Sequence, residues 1–277
     1  MRATFFKSGR RTRGYAALRV ADWCEAYYAN SQGNEVPIFE VPLSKIVNIT
    51  GATFAPDSAN PLVLALKAFA FGDRQPEQAQ QVLQSFYNDF QPRTLAGLVC
   101  VGGGEQEESL PLFDIKKQQV TMPWDAQVRT SDYKYIGPKR DEQIKHTSER
   151  LIRIFKAIES EGWAPKVEDH VKHTFPTGQV LVQKQRTENS PFFLLKSGHH
   201  RISALAALGY SSVSVGFRPG LPPIVREEDV GFWPQVRKGN LADGEALDVF
   251  ASLVSGGNRR IQRWQDEVLN GSPNDTR

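Results

Sequence analysis

An α+β protein is predicted by three features of the sequence: a strand, turn, helix, strand unit across residues 192–217, the longest amphipathic helical pattern in the chain after Asp141, and further helical stretches on both sides of these. The expected architecture is a small mixed sheet with helical segments flanking it. Phe192, Phe193, Leu194 and Leu195 make an apolar strand, and Lys196, Ser197 and Gly198 make a turn. His199, His200 and Arg201 then open a helix whose apolar positions Ile202, Leu205, Ala206 and Leu208 share one face, with Gly209 as its stop. A second strand runs over residues 212–217.

The helix after Asp141 carries Ile144, Leu151, Ile154, Phe155 and Ile158 at helical spacing, and Glu149 points largely away from that apolar face. Two readings of Glu149 remain open at this point. It stands four residues before Arg153, which suits a solvated ion pair; alternatively Glu149, or Glu142, lies over the start of the 199–209 helix as a base or metal ligand. Upstream, Leu62, Leu64, Leu66, Ala68 and Phe69 predict one helix, and Val82, Leu83, Phe86, Tyr87 and Phe90 a second after a break at Gly72 and Asp73. Pro92 interrupts the pattern, and residues 94–101 read as helix or strand.

Gly102, Gly103 and Gly104 with the acidic run behind them mark a linker near 102–110; no lysine is placed as in a Walker loop. Residues 1–30 form a basic, aromatic arm with Arg10, Arg11 and Arg13, read as a solvated terminal segment, with nucleic acid or an anionic membrane surface as the other partners such an arm suits. After a proline-rich connector from Pro219, a helix over 243–253 is expected with Asp243 as its N-cap. The tail from Ser272 is expected to be disordered. The chain therefore divides into a mainly helical region 1–128, a core 129–220 and a C-terminal helical extension 221–277.

With 277 residues, 40% hydrophobic and 23% charged, the chain can bury a sizeable core, and a net charge of +3 demands no polyanionic partner. Nucleic acid is accordingly not the expected partner. Cys24 and Cys100 are far apart and in no metal-spaced pattern, which suits reduced cysteines in a cytoplasmic protein. No membrane span and no signal-peptide hydrophobic region are evident. His170 and His173 lie near Asp169, but three-residue spacing on a strand sends them to opposite faces and no second ligand cluster follows, so no metal site is expected there. His170 is the one expected to face a pocket.

The start of the 199–209 helix is electrostatically odd. Helix N-termini are positive, and a badly signed charge there costs about 0.3–1 kcal/mol. A bound phosphate resolves the conflict: turn amides donate to it, Arg201 and a histidine neutralise it, and Gly198 lets the backbone come close. The other resolution is neutral, exposed histidines with Arg201 paired to a carboxylate elsewhere.

At Ser197-Gly198-His199-His200-Arg201, and at Ala204-Leu205-Ala206-Ala207-Leu208-Gly209, the chain resembles the ParB/sulfiredoxin superfamily. Leu151 to Ile158, followed by Glu161-Gly162-Trp163-Ala164-Pro165, is similar to the family's preceding helix, so the resemblance covers residues 135–220. It implies a ParB/sulfiredoxin-like core that holds nucleotide phosphates at Ser197, Gly198, His199, His200 and Arg201. A sulfiredoxin reaction is excluded, because the catalytic cysteine of those enzymes is replaced here by His199. The paired histidines are closer to the free serine kinases, which usually carry Asp where this chain has Ser197. Phe90-Gln91-Pro92-Arg93-Thr94, Gly137-Pro138, Glu149-Arg150-Leu151 and Trp233-Pro234-Gln235-Val236-Arg237-Lys238-Gly239 further resemble ParB-like proteins associated with bacterial polysaccharide biosynthesis genes.

The resemblance thus implies an ATP-dependent kinase, with ATP or another nucleoside triphosphate and Mg²⁺ as cofactors and a small hydroxyl compound, of glycan metabolism, as acceptor. Glu149, His200 and Arg201 are the expected catalytic residues. The alternative is a non-catalytic nucleotide-sensing or DNA-associated ParB-like regulator; no helix-turn-helix pattern follows the core.

Overall fold

The computed structural model describes residues 17–19, 36–101, 113–114, 119–126, 129–130, 135–163, 180–186, 191–217, 224–255 and 257–270. The fold is mixed α and β. Its strands are β1 (Ala17–Arg19), β2 (Val36–Pro42), β3 (Ile46–Val47), β4 (Phe113–Asp114), β5 (Gln119–Val120), β6 (Arg129–Thr130), β7 (Val180–Arg186), β8 (Pro191–Ser197), β9 (Ser212–Phe217) and β10 (Ile224–Arg226). Its helices are α1 (Pro61–Phe71), α2 (Pro76–Asp89), α3 (Leu95–Val99), α4 (Asp141–Glu161), α5 (His199–Ala207), α6 (Pro234–Arg237), α7 (Asp243–Val254) and α8 (Arg259–Asn270).

The main sheet has the order β1-β2-β9-β7-β8-β3, with β10 continuing beside β7 beyond the end of β9. β2 runs antiparallel to β9, from Ile38 opposite Gly216 to Pro42 opposite Ser212, and β7 runs antiparallel to β8. β3 joins the far edge parallel to β8, pairing Ile46 with Phe193 and Val47 with Leu194. β4, β5 and β6 form a separate antiparallel sheet.

This sheet corrects the expected division at residue 128. Residues 36–47, assigned by sequence to a helical region, lie beside β9 and β8, the strands of the 192–217 unit. A single hydrophobic core then runs from Phe39 and Ile46 through Leu66, Phe86, Leu151 and Leu205 to Phe250 and Trp264, so the N-terminal and C-terminal helices share it.

Local chemistry explains where the helices begin. Asn60 Oδ1 accepts from the Leu62 amide at 3.1 Å, with Pro61 at the first helical position of α1. Thr94 Oγ1 caps α3 through the Gly97 amide at 3.1 Å, so of the two readings of residues 94–101 the short helix Leu95–Val99 is the one formed. In α4, Ile144, Leu151, Ile152, Phe155 and Ile158 are buried, as the helical period requires. Asp243 is the first residue of α7 and not its cap; the cap is Ala242, whose amide donates to Glu245 Oε2 at 2.8 Å. The carboxylate three residues on does the capping there. α8 has no counterpart among the sequence-predicted helices; Asn258 Oδ1 caps it through the Arg260 and Ile261 amides at 3.1 and 3.2 Å.

Cys100 is buried as a free thiol, and no helix of the described residues is long and apolar enough to cross a membrane. The linker at 102–110, His170 and His173, Cys24, most of the basic N-terminal arm and the tail from Ser272 lie outside the described residues.

Candidate anion-binding site

β8 ends at Ser197, the chain turns through Gly198 at φ +92°, and α5 begins at His199. A residue with a Cβ would be strained at that φ, so glycine is what allows strand and helix to meet at so sharp a corner. The Gly198 carbonyl accepts from the Arg201 and Ile202 amides, both at 3.0 Å, which closes the first turn. The helix supplies no acceptor for its opening amides, so its N-terminus carries partial positive charge.

The two histidines do different work. His199 is 2% exposed, its Nδ1 lies 3.0 Å from Tyr135 Oη in hydrogen-bond contact, and its carbonyl accepts from Ser203 Oγ at 2.8 Å. It is a wedge fastening α5 to the Tyr135 segment. His200, also buried, faces a cavity of about 400 Å³ between α5, α4 and the end of α2. That volume is within the range of small-molecule sites, about 300–1,000 Å³.

Most of this cavity's wall comes from α4. Glu142, Gln143, His146, Thr147 and Arg150 recur at intervals of three and four residues on a polar face beside the helix's buried one. Lys139, just before α4, completes that wall, and Tyr87 of α2 contributes its ring. Lys139 Nζ stands 6.0 Å from the Tyr87 ring centroid. Burial lowers the Lys139 ammonium to about 8.

Gly137 places Lys139 there. Its amide donates to the Phe90 carbonyl at 3.0 Å, and a Cβ at this position would lie 1.8 Å from the Tyr87 carbonyl oxygen. No larger residue permits the chain to pass so close to α2.

Arg201, half-buried, is pushed below the usual guanidinium value by burial and then by the charge of Arg150 beside it. Among the described residues neither arginine is ion-paired with a carboxylate; the ion pair formed there is Arg74 with Glu159. Arg201, in the first turn of α5, thus faces a like charge from the middle of α4, and Arg150, His200 and Lys139 are in the cavity lining while Arg201 stands behind it. The arrangement suits an anion with several oxygen acceptors.

Of the residues predicted for this site, His200 lines the cavity and Arg201 lies beside Arg150, while Gly198 shapes the corner. Ser197 is half-buried at the end of β8 and His199 is turned into the core; neither lines the cavity. Glu149 is exposed on α4 outside the lining, and it forms no ion pair with Arg153. Glu142, the other carboxylate considered, is in the lining. Lys139, His146 and Arg150 are not among the residues the sequence singles out for the site; for His146 and Arg150 the signal is their four-residue spacing with Glu142 along one face of α4, and for Lys139 no local pattern exists.

The Gly198 corner, the cavity and the two arginines thus lie together where β8 passes into α5. Comparison of the chain with family models, with curated protein sequences and with solved structures gives no match.

Proposed function

We propose that this cavity binds the phosphates of a nucleotide, and that the protein is an ATP-dependent phosphotransferase acting in the cytoplasm on a small hydroxyl compound, with a core of the ParB/sulfiredoxin type. The observation that carries this reading is the juxtaposition of Arg150 and Arg201 at the start of α5 without a described carboxylate partner. An anion relieves their repulsion and the burial cost of Arg201 at once. Lys139 and His200 extend the cationic wall from that point along the cavity.

In this reading the opening amides of α5 and the two arginines hold phosphate, and His200 and Lys139 stabilise charge on the transferring group. Glu142 takes the acceptor-side role first expected of Glu149, because it is the carboxylate that faces the cavity. It accepts the proton of the acceptor hydroxyl, whose oxygen bonds to the terminal phosphorus as the bond to the nucleoside diphosphate breaks. Glu142 with phosphate oxygens is also a sufficient donor set for Mg²⁺, which is usually held by one or two carboxylates plus substrate phosphates and would offset phosphate charge when bound. A glycan-related metabolite is the acceptor class that the resemblance to polysaccharide-associated proteins implies.

Titration calorimetry with ATP, CTP, ADP and pyrophosphate in the presence of Mg²⁺ tests binding. Incubation with ATP and a bacterial metabolite extract, with mass detection of new phosphorylated products, tests transfer. Binding and a product are expected. Binding without any product supports the nucleotide-sensing regulator instead, and no binding to any of the four overturns the proposal.

A further inference from the structure

A second cavity, of about 500 Å³, opens between the turn at 122–126 and the segment carrying β10 and the 3-10 turn Glu227–Phe232. Its base is aromatic. Trp124 and Trp233 meet edge to face with centroids 5.3 Å apart, and each packs on Phe250, at 5.8 and 5.6 Å. The wall is held in place by hydrogen bonds: the Gln235 amide to the Pro123 carbonyl at 3.1 Å, Gln235 Nε2 to the Asp125 carbonyl at 2.6 Å, and Lys238 Nζ to the Ala126 carbonyl at 2.8 Å. A site so clamped loses little freedom when a ligand enters.

The other lining residues select the ligand's chemistry. Phe232 stands at the mouth, 76% exposed. A single exposed phenylalanine is ordinary on a protein surface, but this one borders a cavity with an indole floor. Asp125 is buried in the lining, while Asp229 and Arg226 are exposed on the rim. A cationic ligand would meet Arg226, and an anionic one would meet two carboxylates. A neutral ligand with an apolar C–H face and a ring of hydroxyls suits the exposed groups: weakly positive C–H bonds lie on the Phe232 ring, Asp229 accepts from hydroxyls, and the Arg226 guanidinium donates to oxygen.

We propose that this cavity binds a neutral pyranose unit, its C–H face against the exposed Phe232 ring and its hydroxyls on Arg226 and Asp229, with the buried indoles beneath as a rigid support. The phosphate cavity is lined by a separate set of residues, so the two sites can be tested apart.

Saturation-transfer NMR on the full chain with the methyl glycosides of glucose, galactose, mannose and N-acetylglucosamine tests this, with choline and sulfate as cationic and anionic comparisons. At least one glycoside should receive saturation, strongest on its ring C–H protons. Its half-saturation concentration should rise about tenfold or more in Phe232→Ala and in Arg226→Ala, while Arg150→Ala leaves it unchanged. Both rim side chains are exposed, and thermal melts confirm folding; Asp229→Asn, which keeps the side-chain volume, replaces any variant that fails to fold. Absence of saturation transfer to every glycoside overturns the proposal, as does half-saturation unmoved by the rim variants, or binding of choline in preference to the glycosides.

Discussion

The middle and the C-terminal end of α4 handle charge in opposite ways. Toward its C-terminus Glu159 takes Arg74 in a two-pronged pair, with 2.7 and 2.8 Å hydrogen bonds on the surface. At its middle Arg150 stands beside Arg201, with Lys139 and His200 around the same cavity and Glu142 as a carboxylate in the lining. One helix thus carries a surface ion pair near its end and, in its middle, an arginine set against a second arginine. Like charges brought together near a helix N-terminus are costly for folding alone, and the proposed anion would offset that cost.

Removing the cluster should have the largest effect. Hydrogen bonds to charged groups are worth about 1.5–3 kcal/mol each, so Arg150→Ala or Arg201→Ala should weaken nucleotide binding by about 10–100-fold in calorimetry. Arg201→Lys should also bind less tightly, because an ammonium lacks the forked geometry. The apo melting temperature should hold or rise in both alanine variants, since each relieves a repulsion. A fall in apo stability with normal binding by the folded fraction would assign these arginines to the fold and dissolve the contrast between the two parts of α4.

Gly137→Ala tests how the cluster is assembled. The new methyl would lie within bonding distance of the Tyr87 carbonyl oxygen, so the backbone must move away from α2. Overpacking of this kind costs about 1–3 kcal/mol, readable by urea denaturation. Because the shift carries Lys139 off Tyr87, nucleotide affinity should fall as well. A variant as stable as the parent would mean that the α2 contact is loose.

Lys139 refines the comparison through pH. Its folded value is about 8 against an ordinary 10.5, so between these the unfolded chain binds the proton more readily, and apo stability should rise with pH across that window. Nucleotide binding calls for the charged amine and should weaken over the same range. Lys139→Met should abolish both slopes and reduce affinity at pH 7 by about tenfold, a single charge-assisted contact. Glu142, His146, Arg150, His200 and Tyr87 face the same cavity and remain in the variant, and a slope that persists there would take the pH dependence away from Lys139.

How far the sequence anticipated this depends on whether the signal is local. β8, α5 and β9 were legible because apolar runs, Gly198 and Gly209 punctuate them within two dozen residues, and α4 because its buried positions keep a helical period. β2 was missed because Pro37 and Pro42 bracket its apolar run and argue against a central strand; in the sheet Pro42 falls at the strand's end, opposite Ser212. α8 was missed because its buried stripe is thin, with Ile261 and Trp264 set in a polar run. At the site, His200 and Arg201 were legible from helix-end electrostatics. Glu149 was favoured for facing away from the core, whereas the cavity takes the 142, 146 and 150 line of α4, which lies between the core face and Glu149. The nearness of Arg150 to Arg201 is tertiary, and no local pattern encodes it.

The smallest effect is expected at the satisfied end. Arg74 and Glu159 hold good geometry, but their side chains are 51% and 34% exposed, and each raises or lowers the other's proton affinity only as a solvated pair. Exposed pairs are screened by salt and lose side-chain freedom in forming. Arg74→Ala should therefore leave the melting temperature within the scatter of replicate melts at physiological salt, shift it only at low ionic strength, and leave nucleotide affinity unchanged. If Arg74→Ala weakened nucleotide binding as Arg150→Ala does, charge anywhere along α4 would suffice, and the cavity would lose its claim to be the site. Titrating both variants with ATP at two salt concentrations distinguishes a long-range field, which salt suppresses in both, from a contact that only Arg150 makes.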